Sequence, residues 1–256
     1  MIVSYIKELL IFLIQQQETP MKKLSLKPLL MSMAIISSST AMIMPNIAQA
    51  GASANFGMVS SYAFRGIAQT GSAGQGGIDY ETDSGLYIGT WASQVATGNA
   101  GQNGLEYDLY FGWAGSTGDI DLSVGYTGYF YTNGFDKMYN ELNLSAGFNG
   151  VTLSLNPGVY DSANSEGDSS TNYYNLNVSG DIGPISATLG YNDWDTSNSS
   201  SKDGGVNTYL ELSYSKELFK GVDGSITYVA SRAEDAAGDA HTQNYLVFGI
   251  STAFDI

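Results

Sequence analysis

Apolar and polar residues alternate along about a dozen short segments of this chain. Residues 105–114 show the pattern most plainly. Leu105, Tyr107, Leu109, Phe111 and Trp113 fall on one face of a strand, and Glu106, Asp108, Tyr110, Gly112 and Ala114 on the other. Successive strand side chains point to opposite faces, so a period of two separates an apolar face from a polar one. In a soluble sheet the apolar face needs a covering layer, and no segment beyond residue 50 carries a helical period that would supply it. A sheet closed on itself in a bilayer, apolar outside and polar inside, satisfies the pattern. The expected fold is therefore all-β, a single closed antiparallel up-and-down transmembrane β-barrel.

The alternation predicts twelve strands, near 55–66, 76–82, 86–95, 105–115, 120–131, 139–148, 151–160, 171–180, 185–194, 206–215, 222–231 and 241–254. Most are close to the roughly 9 to 11 residues that a tilted strand needs to cross a bilayer, and their number is even, as in bacterial single-chain barrels. Tight connections at 83–85, 116–119, 149–150 and 181–184, and a slightly longer one at 216–221, rotate with longer Gly-, Ser-, Asn- and Asp-rich ones at 67–75, 96–104, 132–138, 161–170, 195–205 and 232–240. Asn149-Gly150 is a strong two-residue hairpin signal. The rotation predicts short turns in the periplasm, loops outside and both termini periplasmic. Leu246, Phe248, Ile250, Thr252 and Phe254 share one face of the last strand, a terminal aromatic pattern of the kind barrel-assembly machinery reads, although Asp255 and Ile256 follow Phe254. Tyr62, Phe64, Trp91, Trp113, Phe130, Tyr174, Tyr191, Trp194 and Tyr214 fall near strand ends, where a bilayer's headgroup level favours aromatics.

The N-terminal region supports export. Met21-Lys22-Lys23, the apolar run from Leu24 to Ile43, and Ala48-Gln49-Ala50 before Gly51 form a secretory signal with cleavage expected after Ala50. Residues 1–20 read as an upstream extension, residues 21–50 as the signal, and residues 51–256 as one barrel domain. The alternative for Ile2 to Ile14 is an amphipathic or anchoring segment.

Composition sharpens the class. There is no cysteine, hence no disulfide framework and no thiolate metal site. Charged residues are only 14%, and a mean hydropathy of -0.08 fits a barrel whose lumen and loops dilute its apolar band. From Gly51 onward six basic residues face 23 acidic ones, a net charge of −17. That balance excludes nucleic acid as a partner and favours cations.

Phasing each strand by its apolar face places Arg65, Asp79, Glu81, Glu106, Asp108, Asp121, Glu141 and Glu211 inward, among small and hydroxylic residues such as Ser123, Thr127, Asn143, Asn156 and Asn175. Seven acids against one base make a lining that selects cations electrostatically. Packed carboxylates repel, so some should hold a proton or pair with Arg65. Barrels of about eight strands are filled by side chains and those of 16 or more leave a channel, so twelve admits either a pore or an occluded barrel. Acid clusters in the expected loops (Asp161, Glu166 and Asp168; Asp193, Asp195 and Asp203; Glu234, Asp235 and Asp239) lack the spacing of a calcium loop and read as solvated charge, with divalent bridging to lipopolysaccharide as the alternative.

Enzyme chemistry finds little purchase. His241 is the only histidine, and Ser231 on the neighbouring strand carries no nucleophile motif. The glycine-rich run 71–77 lacks the Lys-Ser/Thr of a phosphate loop. No metal site or cofactor is expected.

The segments Asn55-Phe56-Gly57-Met58-Val59-Ser60-Ser61-Tyr62-Ala63-Phe64-Arg65-Gly66-Ile67, Gly76-Gly77-Ile78-Asp79-Tyr80 and Ser84-Gly85-Leu86-Tyr87-Ile88-Gly89-Thr90-Trp91-Ala92-Ser93 resemble the TorF family, a proteobacterial family described as porins. Length and strand rhythm agree over the mature chain. The resemblance implies an outer-membrane barrel with pore activity. It brings no substrate and no catalytic residue, and marks Arg65 and Trp91 as motif positions. The combined expectation is an outer-membrane, cation-preferring channel for passive diffusion of ions or small hydrophilic solutes. The alternative is a non-conducting structural or surface-interaction barrel acting through acidic loops. Expected partners are outer-membrane lipid, lipopolysaccharide, the assembly machinery and the solutes themselves.

Overall fold

The computed structural model describes residues 50–96, 103–161, 170–195, 205–235 and 239–256. Residues 1–49, with the expected extension and nearly all of the signal including Ala48, lie outside them, as do the loop acids Glu166, Asp168 and Asp203. The strands are β1 (Gly51–Val59), β2 (Tyr62–Phe64), β3 (Ile67–Thr70), β4 (Ala73–Glu81), β5 (Leu86–Ala96), β6 (Asn103–Thr117), β7 (Ile120–Tyr131), β8 (Met138–Phe148), β9 (Val151–Asp161), β10 (Thr171–Ile182), β11 (Ile185–Trp194), β12 (Gly205–Phe219), β13 (Val222–Asp235) and β14 (Ala240–Asp255). There is no helix among the described residues.

β1 and β4 to β14 close into one twelve-stranded antiparallel barrel, in which β1 pairs with β4 on one side and with β14 on the other. Closure leaves no sheet edge unpaired, the condition for placing strands in hydrocarbon. The period-two pattern sorts the two faces. Phe56, Ile88, Phe111 and Phe248 are each more than 50% exposed on the outside, while Ser93, Asn175 and Thr227 are wholly buried within.

The connections alternate as the sequence predicts. At one end lie four two-residue turns, 118–119, 149–150, 183–184 and 220–221, and a four-residue one at 82–85. Asn149 and Gly150 have φ of 51° and 77°, the signs a primed turn requires. Several strands run further into this end than the alternation suggested. β12 continues through Lys216 to Phe219, with its register slipping between Glu217 and Phe219, so the expected longer connection at 216–221 shrinks to Lys220-Gly221. The opposite end carries the long connections.

The first strand departs from the expectation. Alternation continues through Ser61, Ala63 and Arg65, and so predicted one strand over 55–66. Instead β1 ends at Val59, and Tyr62–Phe64 pairs with Ile67–Thr70 as a separate hairpin. A hairpin has the same period as a barrel strand, so periodicity alone could not distinguish them.

Candidate functional site

The β2–β3 hairpin joins two neighbouring barrel strands at the long-loop end, yet its side chains are interior. Tyr62, Ala63 and Arg65 are all buried. Tyr62, Ala63, Val59, Ala73, Val95, Val229 and Val247 form an apolar cluster inside the wall, against which Phe64, Trp91 and Tyr245 pack. The hairpin is thus folded into the lumen.

Its tip is the pair Arg65-Gly66, with φ of 51° and 79°. This is the backbone signature of a two-residue primed turn, where Asn-Gly or Gly-Gly is the usual choice. An arginine at positive φ is strained, and such strain persists only where surrounding contacts over-determine it. Here they do. The Arg65 guanidinium donates to both carboxylate oxygens of Glu141, each at 2.8 Å. Asn207 Nδ2 donates to Arg65 O at 2.7 Å, Gly66 N donates to Glu211 Oε1 at 3.2 Å, and the Tyr245 hydroxyl donates to Gly66 O at 3.3 Å. Further up the hairpin, the Tyr62 hydroxyl donates to Glu106 Oε1 at 2.7 Å. Anchors on β8, β12 and β14 therefore hold the tip across the bore, and one on β6 holds the strand leading to it. A Cβ added at Gly66 would collide with the Tyr209 side chain, so glycine is required there by space as well as by φ.

The electrostatics of the hairpin follow from burial. Burial opposes the charge on Arg65 and the Glu141 carboxylate outweighs it, leaving the guanidinium pKa above its ordinary value. Burial, with the nearby Glu106 and Asp108, pushes the Tyr62 hydroxyl well up, which keeps it a donor.

Glu141 is also the end of a polar chain along the inner wall. It accepts from the Tyr129 hydroxyl at 3.2 Å and Asn143 Nδ2 at 2.7 Å. Asn143, Asn156, Asn175 and Asn192, one on each of β8 to β11, then link in sequence at 3.3, 3.0 and 2.8 Å. Asn192 and Asn207 were not singled out from the sequence, although both share the phase of residues that were.

The predicted site residues separate into groups. Arg65, Glu106, Glu141 and Glu211 converge on the hairpin, with Asp108 buried beside Glu106. Arg65 sits on no barrel strand, contrary to the phasing that placed it there. Asp79 lies nearer the short-turn end, accepting from the Tyr110 hydroxyl and from Asn55 Nδ2 at 3.5 Å. Glu81 is two residues further along β4. Asp121 keeps the inward phase and is exposed next to the turn 118–119, with Ser116 Oγ donating to it at 2.6 Å. Ala50 and Gly51 are exposed at the start of β1.

Four aromatics assigned to the membrane girdle by position are elsewhere. Tyr62 and Phe64 belong to the hairpin, and Trp91 packs on Tyr62 with centroids 5.4 Å apart. Trp194 stacks on Tyr173 inside the wall, 4.5 Å apart. Trp113, Tyr174 and Tyr214 are exposed, as girdle residues should be. His241 lies opposite Ala233, and Ser231 opposite Gln243, two positions along the same ladder. Among the described residues no three His, Asp or Glu side chains converge as a metal site would need.

No curated protein matches the chain. Among solved structures it is similar to the KdgM porin, at 8% identity over 79% of this chain and 99% of that one, with a TM-score of 0.50. It is similar also to Pseudomonas aeruginosa OpdK crystallised with vanillate (11% identity, 73% and 57% of the chains, TM-score 0.43) and to Acinetobacter baumannii OccAB4 (13% identity, 77% and 57%, TM-score 0.45). The chain spans less than two thirds of the length of these last two. At such identities the likeness is one of fold. A family model described as "Bacterial protein of unknown function (Gcw_chp)" matches residues 48–254, nearly the whole described barrel, and the chain belongs to that family.

Proposed function

We propose that this protein is an outer-membrane, porin-like channel through which ions or small hydrophilic solutes diffuse passively, with a preference for cations. The observation that carries the reading is the closed twelve-stranded wall, apolar outside and polar within. Its short turns face the periplasm and its long connections the exterior, as in other barrels of this kind. The hairpin then narrows the bore from the outer side. The chain arrives through a cleaved signal over residues 21–50, is inserted by the barrel-assembly machinery, and sits among lipid and lipopolysaccharide. The TorF resemblance of the N-terminal segments supports the same assignment.

Cation preference rests on Asp79, Glu81, Glu106, Asp108, Asp121, Glu141 and Glu211. Arg65 neutralises Glu141, so the bias falls on the rest. The test is single-channel recording on protein extracted from outer membranes, with the reversal potential taken across a salt gradient. Conductance steps that reverse on the cation side are expected; anion selectivity would refute the assigned lining.

The second reading, a non-conducting structural or surface-interaction barrel, is favoured by one observation. The hairpin and its apolar cluster fill much of the interior near Val59, Val95, Val229 and Val247. A folded barrel that shows no steps would decide for it.

A further inference from the structure

Above the Arg65–Glu141 pair the outer mouth holds a cavity of about 170 Å³, lined among others by Phe64, Arg65, Tyr129, Asp136, Tyr173 and Trp194. Its wall is unusual in composition. Inward positions near the long-loop ends of five consecutive strands, β7 to β11, are aromatic: Tyr129 and Tyr131, Tyr139, Tyr160, Tyr173 and Trp194. Tyr139 is their hub, with centroid distances of 4.6 Å to Tyr160, 5.9 Å to Trp194 and 6.1 Å to Tyr173. These rings do not meet lipid. Tyr129, Tyr131, Tyr139, Tyr173 and Trp194 line the cavity itself.

The polar groups at this wall are few and placed. The hydroxyls of Tyr139 and Tyr160 donate to Asp136 at 2.7 and 2.9 Å, which fixes its carboxylate. Asn192 is buried at the base of the wall. Arg65 is 6% exposed, and both its terminal nitrogens are committed to Glu141. Its Nε is a buried donor with no partner.

We infer that this mouth is a binding subsite for a neutral sugar ring. A pyranose has a C–H face and hydroxyl edges. The C–H face suits the negative face of aromatic rings, and the hydroxyls are donors for which the Asp136 carboxylate on the cavity wall is an acceptor. A cavity of this volume, against roughly 30 Å³ for each liquid water, holds one such ring. An anion would meet the Asp136 carboxylate. A cation would meet the Arg65 guanidinium beneath Phe64. The neutral ring meets neither conflict. The subsite would select among solutes offered to the barrel, and it stands on the cavity rather than on conductance.

The test is titration of D-glucose, D-galacturonate and tetramethylammonium into the detergent-solubilised barrel, extracted from outer membranes of cells expressing the full chain, with saturation-transfer NMR as the readout. Saturable glucose binding in the millimolar range is expected, weakened at least about tenfold in Trp194→Ala and Tyr173→Ala, and retained in Trp194→Phe. Heat-dependent gel mobility shows whether each variant is a folded barrel. Absence of saturable glucose binding, unchanged binding in a folded Trp194→Ala, or tighter binding of galacturonate or tetramethylammonium would each overturn the proposal. A barrel that binds glucose but passes no current would leave the subsite standing and refute the channel.

Discussion

Arg65→Met tests whether the hairpin is the constriction. The side chains of Arg65 and Glu141 are 7% and 0% exposed. Removing one partner of such a pair strands the other charge in a poorly solvated place, at a cost of about 3–5 kcal/mol. Glu141 would keep its contacts with Tyr129 and Asn143. At about 1.4 kcal/mol per factor of ten, the ratio of seated to released hairpin falls by roughly 10² to a few times 10³. Four other anchors remain. Tyr62 to Glu106 and Gly66 to Glu211 have carboxylate acceptors and are worth about 1.5–3 kcal/mol each, while Asn207 to Arg65 O and Tyr245 to Gly66 O are worth about 0.5–1.5 kcal/mol each. Together they amount to about 4–9 kcal/mol against a loss of about 3–5 kcal/mol, so over most of that range the hairpin should stay seated and open far more often. Planar-bilayer recording should therefore show brief high-conductance events, rare in the wild type and frequent in Arg65→Met. The reversal potential should also move further to the cation side, because Arg65 is the one base among the described inward residues. An unchanged event frequency in a variant that still folds as a barrel would refute the idea that the hairpin sets the bore.

Gly66→Ala should act in the same direction, since a Cβ meets Tyr209 and the positive φ adds about 1–2 kcal/mol; frequent openings in bilayer recordings are the check. Glu106→Gln together with Asp108→Asn should shift the reversal potential toward zero while leaving single-channel amplitude of similar size, measured across a tenfold salt gradient. Leu109→Arg places a charge on the exposed apolar face and should cost about 2–4 kcal/mol if that position lies near the bilayer midplane, read by denaturant unfolding in lipid vesicles. The inward substitution Ser154→Ala, by contrast, should change that stability by less than about 1 kcal/mol.

Nearly all of the wall was readable from the chain. A strand's two faces are set by neighbours two residues apart, so Leu105 to Ala114 declare their outward and inward sides without reference to anything distant. Turn residues such as Asn149-Gly150 are equally local, because positive φ is a property of the residue itself. The hairpin was not readable. Its strands share the period of the wall, and its turn uses Arg65 where local rules favour Asn or Gly. What seats it are partners 76 and 145 residues away, Glu141 and Glu211, which come within reach only when the barrel closes. The same holds for the aromatic mouth: Trp194 looks like a girdle residue by itself, and only the pairing of β7 to β11 gathers it with Tyr173 on one inner wall. Local alternation decided which side of the barrel each residue faces, and closure of the barrel decided which inward residues meet.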